Sequence, residues 1–191
     1  MDKIKLSWSI ISAWSSGRKD DAIKMIMGDT VAENIYMTEG KRIHKIISDK
    51  KLRLLPFIKD TAIFESDGDV IEGRINYFRV NVFDWLDMGM IIDVLDPVEK
   101  IIIDWKSGSR KSSEHNKMQL YVYAYLLSKL PEPIEIEKVI MAKVSESQQG
   151  VITCDDFCIY KINEEKLAVA ENYIESNASE IYQFLMEAKN E

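Results

Sequence analysis

The sequence predicts an α/β domain: a central mixed β-sheet flanked by helices, with an N-terminal helical segment. Three observations carry that expectation. Residues 61–106 are rich in β-branched and aromatic residues in short runs separated by Asp, Gly and Pro. A strongly apolar helical stretch follows at about 114–129, and two further strand-like runs lead into an amphipathic C-terminal helix. Interleaving of this kind is the pattern of a layered α/β fold. The chain has 191 residues, and at roughly 100–200 residues per domain it reads as one domain. Its expected parts are a helical N-terminal part (1–55), a sheet with its main helix (60–162) and a C-terminal helix (163–191).

Residues 7–53 read as helical, with a Ser-rich start at Ser7-Trp8-Ser9 and a weak break near Gly28-Asp29-Thr30. Thr38 is the expected N-cap of a second stretch, in which Ile43, Ile46 and Ile47 form one apolar face flanked by His44. Ala62–Glu65, Ile75–Phe83, Gly89–Leu95 and Ile101–Lys106 are the expected strands of a meander whose last turn is Asp96-Pro97-Val98-Glu99-Lys100. Ser112 or Ser113 opens the helix at Glu114–Lys129, which Pro131 and Pro133 end. Val139–Val144 and Phe157–Ile162 follow as strands. Asn163 with Glu164 and Glu165 provides a cap and an acidic first turn for the last helix, whose stripe is Leu167, Ala170, Ile174, Ile181 and Leu185.

Composition excludes several classes. The longest apolar run, which includes Tyr121 to Leu127, is far short of the ~20 residues of a membrane span. Serines interrupt Leu6–Trp14 and no small-residue cleavage site follows, so a signal peptide is not expected. Two cysteines, Cys154 and Cys158, are too few for a disulfide framework. A reducing cytoplasm is the expected compartment. The net charge of -7 gives no general attraction for nucleic acid, so a nucleic-acid partner must meet a local basic patch.

One constellation carries chemistry. Asp93 ends the run Gly89-Met90-Ile91-Ile92, and Asp104-Trp105-Lys106 ends Ile101-Ile102-Ile103. Strand residues two apart share a face, so Asp104 and Lys106 point together and Trp105 points away. Antiparallel pairing brings Asp93 within reach. Read alone, these residues fit a structural salt-bridge cluster. Two carboxylates at apolar strand ends also suit a hard divalent cation such as Mg²⁺ or Mn²⁺, which leaves sites for water and a phosphate oxygen. Gln119 and Tyr123 lie one helical turn apart, on one face that can point back at the site. His44 offers an imidazole suited to Mn²⁺.

These residues resemble the RecB-type branch of the PD-(D/E)XK nucleases. The resemblance rests on Gly-x-x-x-Asp ending at Asp93, a strand with Asp104-x-Lys106 and a following Ser107-Gly108, then Gln119-x-x-x-Tyr123. Gly40-Lys41-Arg42-Ile43-His44 is similar to the family's Gly-x-x-x-His helix, and Ser7-Trp8-Ser9 with Trp14-Ser15 is similar to its N-terminal segment. The resemblance implies the restriction-endonuclease-like version of the fold. It further implies metal ligation by His44, Asp93, Asp104 and the Trp105 carbonyl, with Lys106 positioning or activating the attacking water. Gln119 and Tyr123 would orient substrate or the lysine. The implied activity is Mg²⁺- or Mn²⁺-dependent hydrolysis of DNA, as an exonuclease leaving 5′-phosphates, in recombination, repair or phage DNA processing. A helicase or recombination partner and an oligomer are compatible with it. The branch commonly has a Pro before the first Asp, which is absent here. Some members hold an iron–sulfur cluster on four cysteines, and a chain with two is expected to hold none. The competing expectation is a non-catalytic module of the same fold that grips DNA ends or an assembly partner.

Other residues have plainer expectations. Lys41, Arg42, Lys45, Lys50, Lys51 and Arg53, with Arg110 and Lys111, form either a DNA-facing patch or a solvated basic face. Glu65 reads as a surface acid, with an additional active-site carboxylate as the alternative. His115 reads as a surface residue at a helix start and the two cysteines as inert strand residues. Trp8 and Trp14 read as core, or as platforms for single-stranded bases.

Overall fold

The computed structural model describes residues 3–32, 35–65, 77–107 and 114–188, with Tyr36 and Tyr77 described by their backbone alone. Strand β1 (Ile4–Ser7) leads into helices α1 (Trp8–Ser15), α2 (Lys19–Ile26) and α3 (Ile35–Asp49). Strands β2 (Ile63–Phe64), β3 (Tyr77–Phe83), β4 (Leu86–Ile91), β5 (Val94–Asp96) and β6 (Ile101–Ser107) follow. Then come α4 (Glu114–Ser128), β7 (Lys138–Glu146), β8 (Ile152–Lys161) and α5 (Glu164–Ala188).

The larger sheet has the order β2-β5-β6-β7-β8. It is mixed, because β6 and β7 run parallel and the other neighbours antiparallel. A parallel pair needs a long crossover, and α4 is that crossover. Strand β6 is buried on both faces, which explains its unbroken apolar run. Ile102 packs with α1, α4 and α5, while Ile101, Ile103 and Trp105 pack on the other face with Ile43 and Ile47 of α3. The smaller sheet, β1-β4-β3, has β1 parallel to β4 and β3 antiparallel to it.

The mixed α/β architecture and the flanking helices match the sequence reading. Local departures have physical causes. The N-terminal part begins with a strand, since Ile4–Ser7 pairs with Leu86–Gly89 rather than joining the helix. A second helix break falls at Ser16-Gly17-Arg18, where Gly17 adopts φ +80 and its amide bonds the Trp14 carbonyl at 3.0 Å. Only glycine takes that conformation without steric cost, so a helix ends there. Thr38 lies inside α3, which starts at Ile35.

The run Gly89–Leu95 divides between the two sheets, with Ile92 and Asp93 at the crossing. Strand β8 begins at Ile152, earlier than periodicity indicated, because Asp155 and Asp156 are poor strand formers that here occupy an exposed stretch. The Asn163 cap is present, its Oδ1 accepting from the Lys166 amide at 3.1 Å. Ala170, Ile174 and Ile181 are buried along α5, joined by Ala178. Residues 66–76 and 108–113, with the start of the Ile75–Phe83 run and the expected Ser112 or Ser113 cap, lie outside the described residues.

Candidate active site

The site is built on the β5–β6 hairpin. Asp96 fixes its turn: Oδ1 accepts from the Val98 and Glu99 amides at 3.1 and 3.0 Å, and Oδ2 accepts from the Thr61 hydroxyl at 2.7 Å. Buried and fully engaged, Asp96 is structural. The register it sets places Asp93 beside β6, where its Oδ2 accepts from the Trp105 amide at 2.7 Å. The expectation that antiparallel pairing unites Asp93 with the Asp104-Trp105-Lys106 run is met. Trp105 itself turns into the opposite core and is 1% exposed.

Asp104 and Lys106 share a face, with Lys106 Nζ 2.8 Å from Asp104 Oδ2. That ammonium also donates to Gln119 Oε1 at 3.0 Å, and Gln119 Nε2 donates to the Tyr123 hydroxyl at 3.0 Å. The one-turn spacing on α4 thus produces a continuous chain from Asp104 to Tyr123, with both ends of the Gln119 amide used. Burial and the nearby carboxylates hold the Tyr123 phenol protonated, well above its ordinary pKa.

His44 approaches from α3, its Nδ1 3.6 Å from Asp93 Oδ2. Gly40, one turn earlier, lets α3 come close to β6: a Cβ there would stand 2.6 Å from Ser107 Oγ. Burial disfavours the His44 imidazolium, but Asp93 and then Asp104 outweigh it and hold its pKa above the ordinary value. Burial pushes the Asp104 carboxyl the other way, up to about 6, with Asp93 adding to the shift and Lys106 opposing it.

Two buried polar atoms here lack a hydrogen-bond partner: His44 Nε2 and Asp104 Oδ2, whose contact with Lys106 is close without hydrogen-bond alignment. Buried polar groups are ordinarily satisfied, so the unpartnered His44 Nε2 leaves room for a further ligand, whereas Asp104 Oδ2 already faces one cation, the Lys106 ammonium at 2.8 Å. Two carboxylates and an imidazole are a chemically sound donor set for Mg²⁺ or Mn²⁺. Among the described residues, no three acidic, His or Cys side chains form a ready-made cage, consistent with Asp104 being engaged by Lys106.

Glu65 and His115 differ from their first sequence reading. Glu65 is drawn to the site, its amide donating to the Asp93 carbonyl at 3.0 Å and its charge reaching Tyr123. Only its position at a strand end hinted at this. His115 is half-buried, bonded through Nε2 to Ser12 Oγ at 2.7 Å and packed against Trp8. Burial, with Lys106 and Arg18 nearby, keeps it below its usual pKa. The basic stretch is largely neutralised: Arg42 pairs with Glu39 and Glu146, Lys45 with Asp49, and Arg53 with Asp60. Arg110 and Lys111 lie outside the described residues. Trp8 and Trp14 are core residues, and both cysteines are free on β8. No described helix is long and apolar enough to cross a membrane.

No curated protein matches the sequence. Solved structures do match the fold. The alkaline exonuclease LHK-Exo from Laribacter hongkongensis superposes with a TM-score of 0.57 at 10% identity, covering 97% of this chain and 92% of its own. LHK-Exo in complex with dAMP gives a TM-score of 0.58 with the same identity and coverage. The sequence model of the PD-(D/E)XK nuclease superfamily matches residues 30–189, a span that holds the β5–β6 hairpin, α3 and α4, and the chain belongs to that superfamily.

Proposed function

We propose that the chain is a divalent-metal-dependent deoxyribonuclease of the RecB-type branch, acting exonucleolytically from DNA ends as one nuclease domain. The observation that carries this reading is the buried, unpartnered His44 Nε2 beside Asp93 and the Asp104–Lys106 pair. A structural salt-bridge cluster would account for Asp104 and Lys106 but gives no reason for a buried imidazole nitrogen without a partner. The dAMP held by LHK-Exo supports a nucleotide product for this fold.

A Mg²⁺ or Mn²⁺ ion held by Asp93, Asp104, His44 and the Trp105 carbonyl would neutralise phosphate charge and make a bound water more acidic. Lys106 is held between Asp104 and Gln119, so its ammonium is oriented before substrate arrives. A fixed cation in a half-buried site stabilises charge developing on the phosphoryl oxygens without having to reorganise. Gln119 positions that ammonium, and Tyr123 positions Gln119. The products are expected to carry 5′-phosphates, in recombination, repair or phage DNA processing.

The test is a time course with Mg²⁺ or Mn²⁺ on labelled single-stranded, linear duplex and closed circular DNA, alongside Lys106→Ala. Wild-type cleavage that spares the circle is expected, with Lys106→Ala about a hundredfold to a thousandfold slower. Equal activity in Lys106→Ala would overturn the assignment, and cutting of the circle would overturn the end requirement.

A further inference from the structure

The smaller sheet carries a feature that the catalytic cluster does not use. Alternation along its strands buries Leu6, Val80, Met88 and Met90 and turns Lys5, Ser7, Arg79 and Asp87 outward. Gly89 sits between Ser7 and Arg79 in the register of three strands. Gly89 has no side chain there, a position where backbone can be approached closely. A cleft of about 300 Å³ lies there, lined among others by Lys5, Ser9, Arg79, Gly89 and Tyr123.

This cleft adjoins the candidate active site through Tyr123. Tyr123 both lines it and ends the Lys106–Gln119–Tyr123 chain. Ile91 lines it two residues before Asp93. In a chain of net charge -7 its polar rim is locally basic. Lys3 lies 3.7 Å from Asp87 and Asn81 donates to the same carboxylate at 3.0 Å, which offsets the acid that the described strands turn to this face. The Lys5 ammonium has no partner among the described residues.

Resting on the nuclease reading, we propose that this cleft receives one unpaired nucleotide of the substrate strand next to the scissile phosphate, with Lys5 on its phosphate, so that the enzyme engages single-stranded ends. The volume is at the lower end for small-molecule sites, roughly 300–1,000 Å³, which suits a nucleotide and is too narrow for a duplex. A backbone-tracking cation beside an apolar wall is the usual arrangement for single strands.

The experiment measures binding of an internally labelled oligonucleotide, single-stranded or as a blunt duplex, across a salt series with Mg²⁺. All proteins carry Lys106→Ala to prevent turnover, and Lys5→Glu and Ser9→Asp are compared with that parent. An acid in the first turn of α1 favours the helix, so Ser9→Asp keeps the fold while opposing phosphate. Each variant is expected to bind the single strand about tenfold more weakly, and Lys5→Glu to flatten the slope of log K against log salt by about 0.7. The duplex is expected to bind the parent more weakly than the single strand. Unchanged binding in both variants, or a duplex bound as tightly, overturns this inference while wild-type cleavage leaves the nuclease reading standing. Absence of both binding and wild-type cleavage would overturn that reading instead, and this one with it.

Discussion

Replacing Asp104 by asparagine should stabilise the metal-free protein while removing its metal response. Burial moves this carboxyl from 3.8 to about 6, net of the attraction from Lys106. The side chain is only 9% exposed, so solvent screening discounts little of that shift. Each pKa unit corresponds to about 1.4 kcal/mol, and an ionised Asp104 therefore costs the metal-free fold about 3 kcal/mol at pH 8. Because the folded pKa lies above the unfolded one, the stabilising contribution is full below 3.8 and is lost as pH rises through about 6. At pH 4.5 the cost is only about 1 kcal/mol.

Asparagine keeps the shape and stays neutral. In chelator, Asp104→Asn should melt above wild type by roughly 6–12 °C at pH 8, taking about 2–4 °C per kcal/mol for this size, and by clearly less at pH 4.5. Added Mg²⁺ or Mn²⁺ should raise the wild-type midpoint and leave the variant unmoved. Thermal denaturation followed by circular dichroism in both conditions reads all of this. An asparagine variant no more stable than wild type at pH 8, or a gap that does not widen with pH, refutes the reasoning.

Tyr123→Phe removes the hydroxyl that anchors Gln119 and should lower kcat several-fold with KM unchanged, whereas a KM effect alone would reassign the residue to binding. Gly40→Ala should raise intrinsic helix stability by up to about 1 kcal/mol yet weaken the metal-induced thermal shift, because the new Cβ meets Ser107 Oγ at 2.6 Å. The double variant Gly40→Ala with Ser107→Ala should recover the shift, and a double variant as weak as the single one speaks against this account. Asn163→Ala deletes the side-chain acceptor at the start of α5 and should cost about 1 kcal/mol, measured by denaturant midpoint, with cleavage unaffected.

Much of the site was legible in the chain because its signals are local. Asp93, Asp104 and Lys106 stand at the ends of apolar runs, and period-two alternation alone places Asp104 and Lys106 together. The turn Asp96–Lys100 is too short for anything but a hairpin, which brings Asp93 to the Trp105 amide. One helical turn separates Gln119 from Tyr123, and the hydrogen bond between them follows from that spacing. The Asn163 cap and the α5 stripe were readable for the same reason.

What only the tertiary structure decided depends on partners distant in sequence. The run Gly89–Leu95 is apolar on both sides of Asp93, and its division into β4 and β5 is set by pairing with β1 and β3 on one side and β2 and β6 on the other. In the basic stretch Lys41–Arg53, the pairing of Arg42 with Glu146 and of Arg53 with Asp60 follows from no local helical spacing. Glu65 reaches Asp93, and His115 reaches Ser12, across wide separations in sequence. The cleft beside Tyr123 needs three strands in register around Gly89. Local periodicity dictates which face a side chain takes, whereas the neighbour it meets there is chosen by packing of the whole chain.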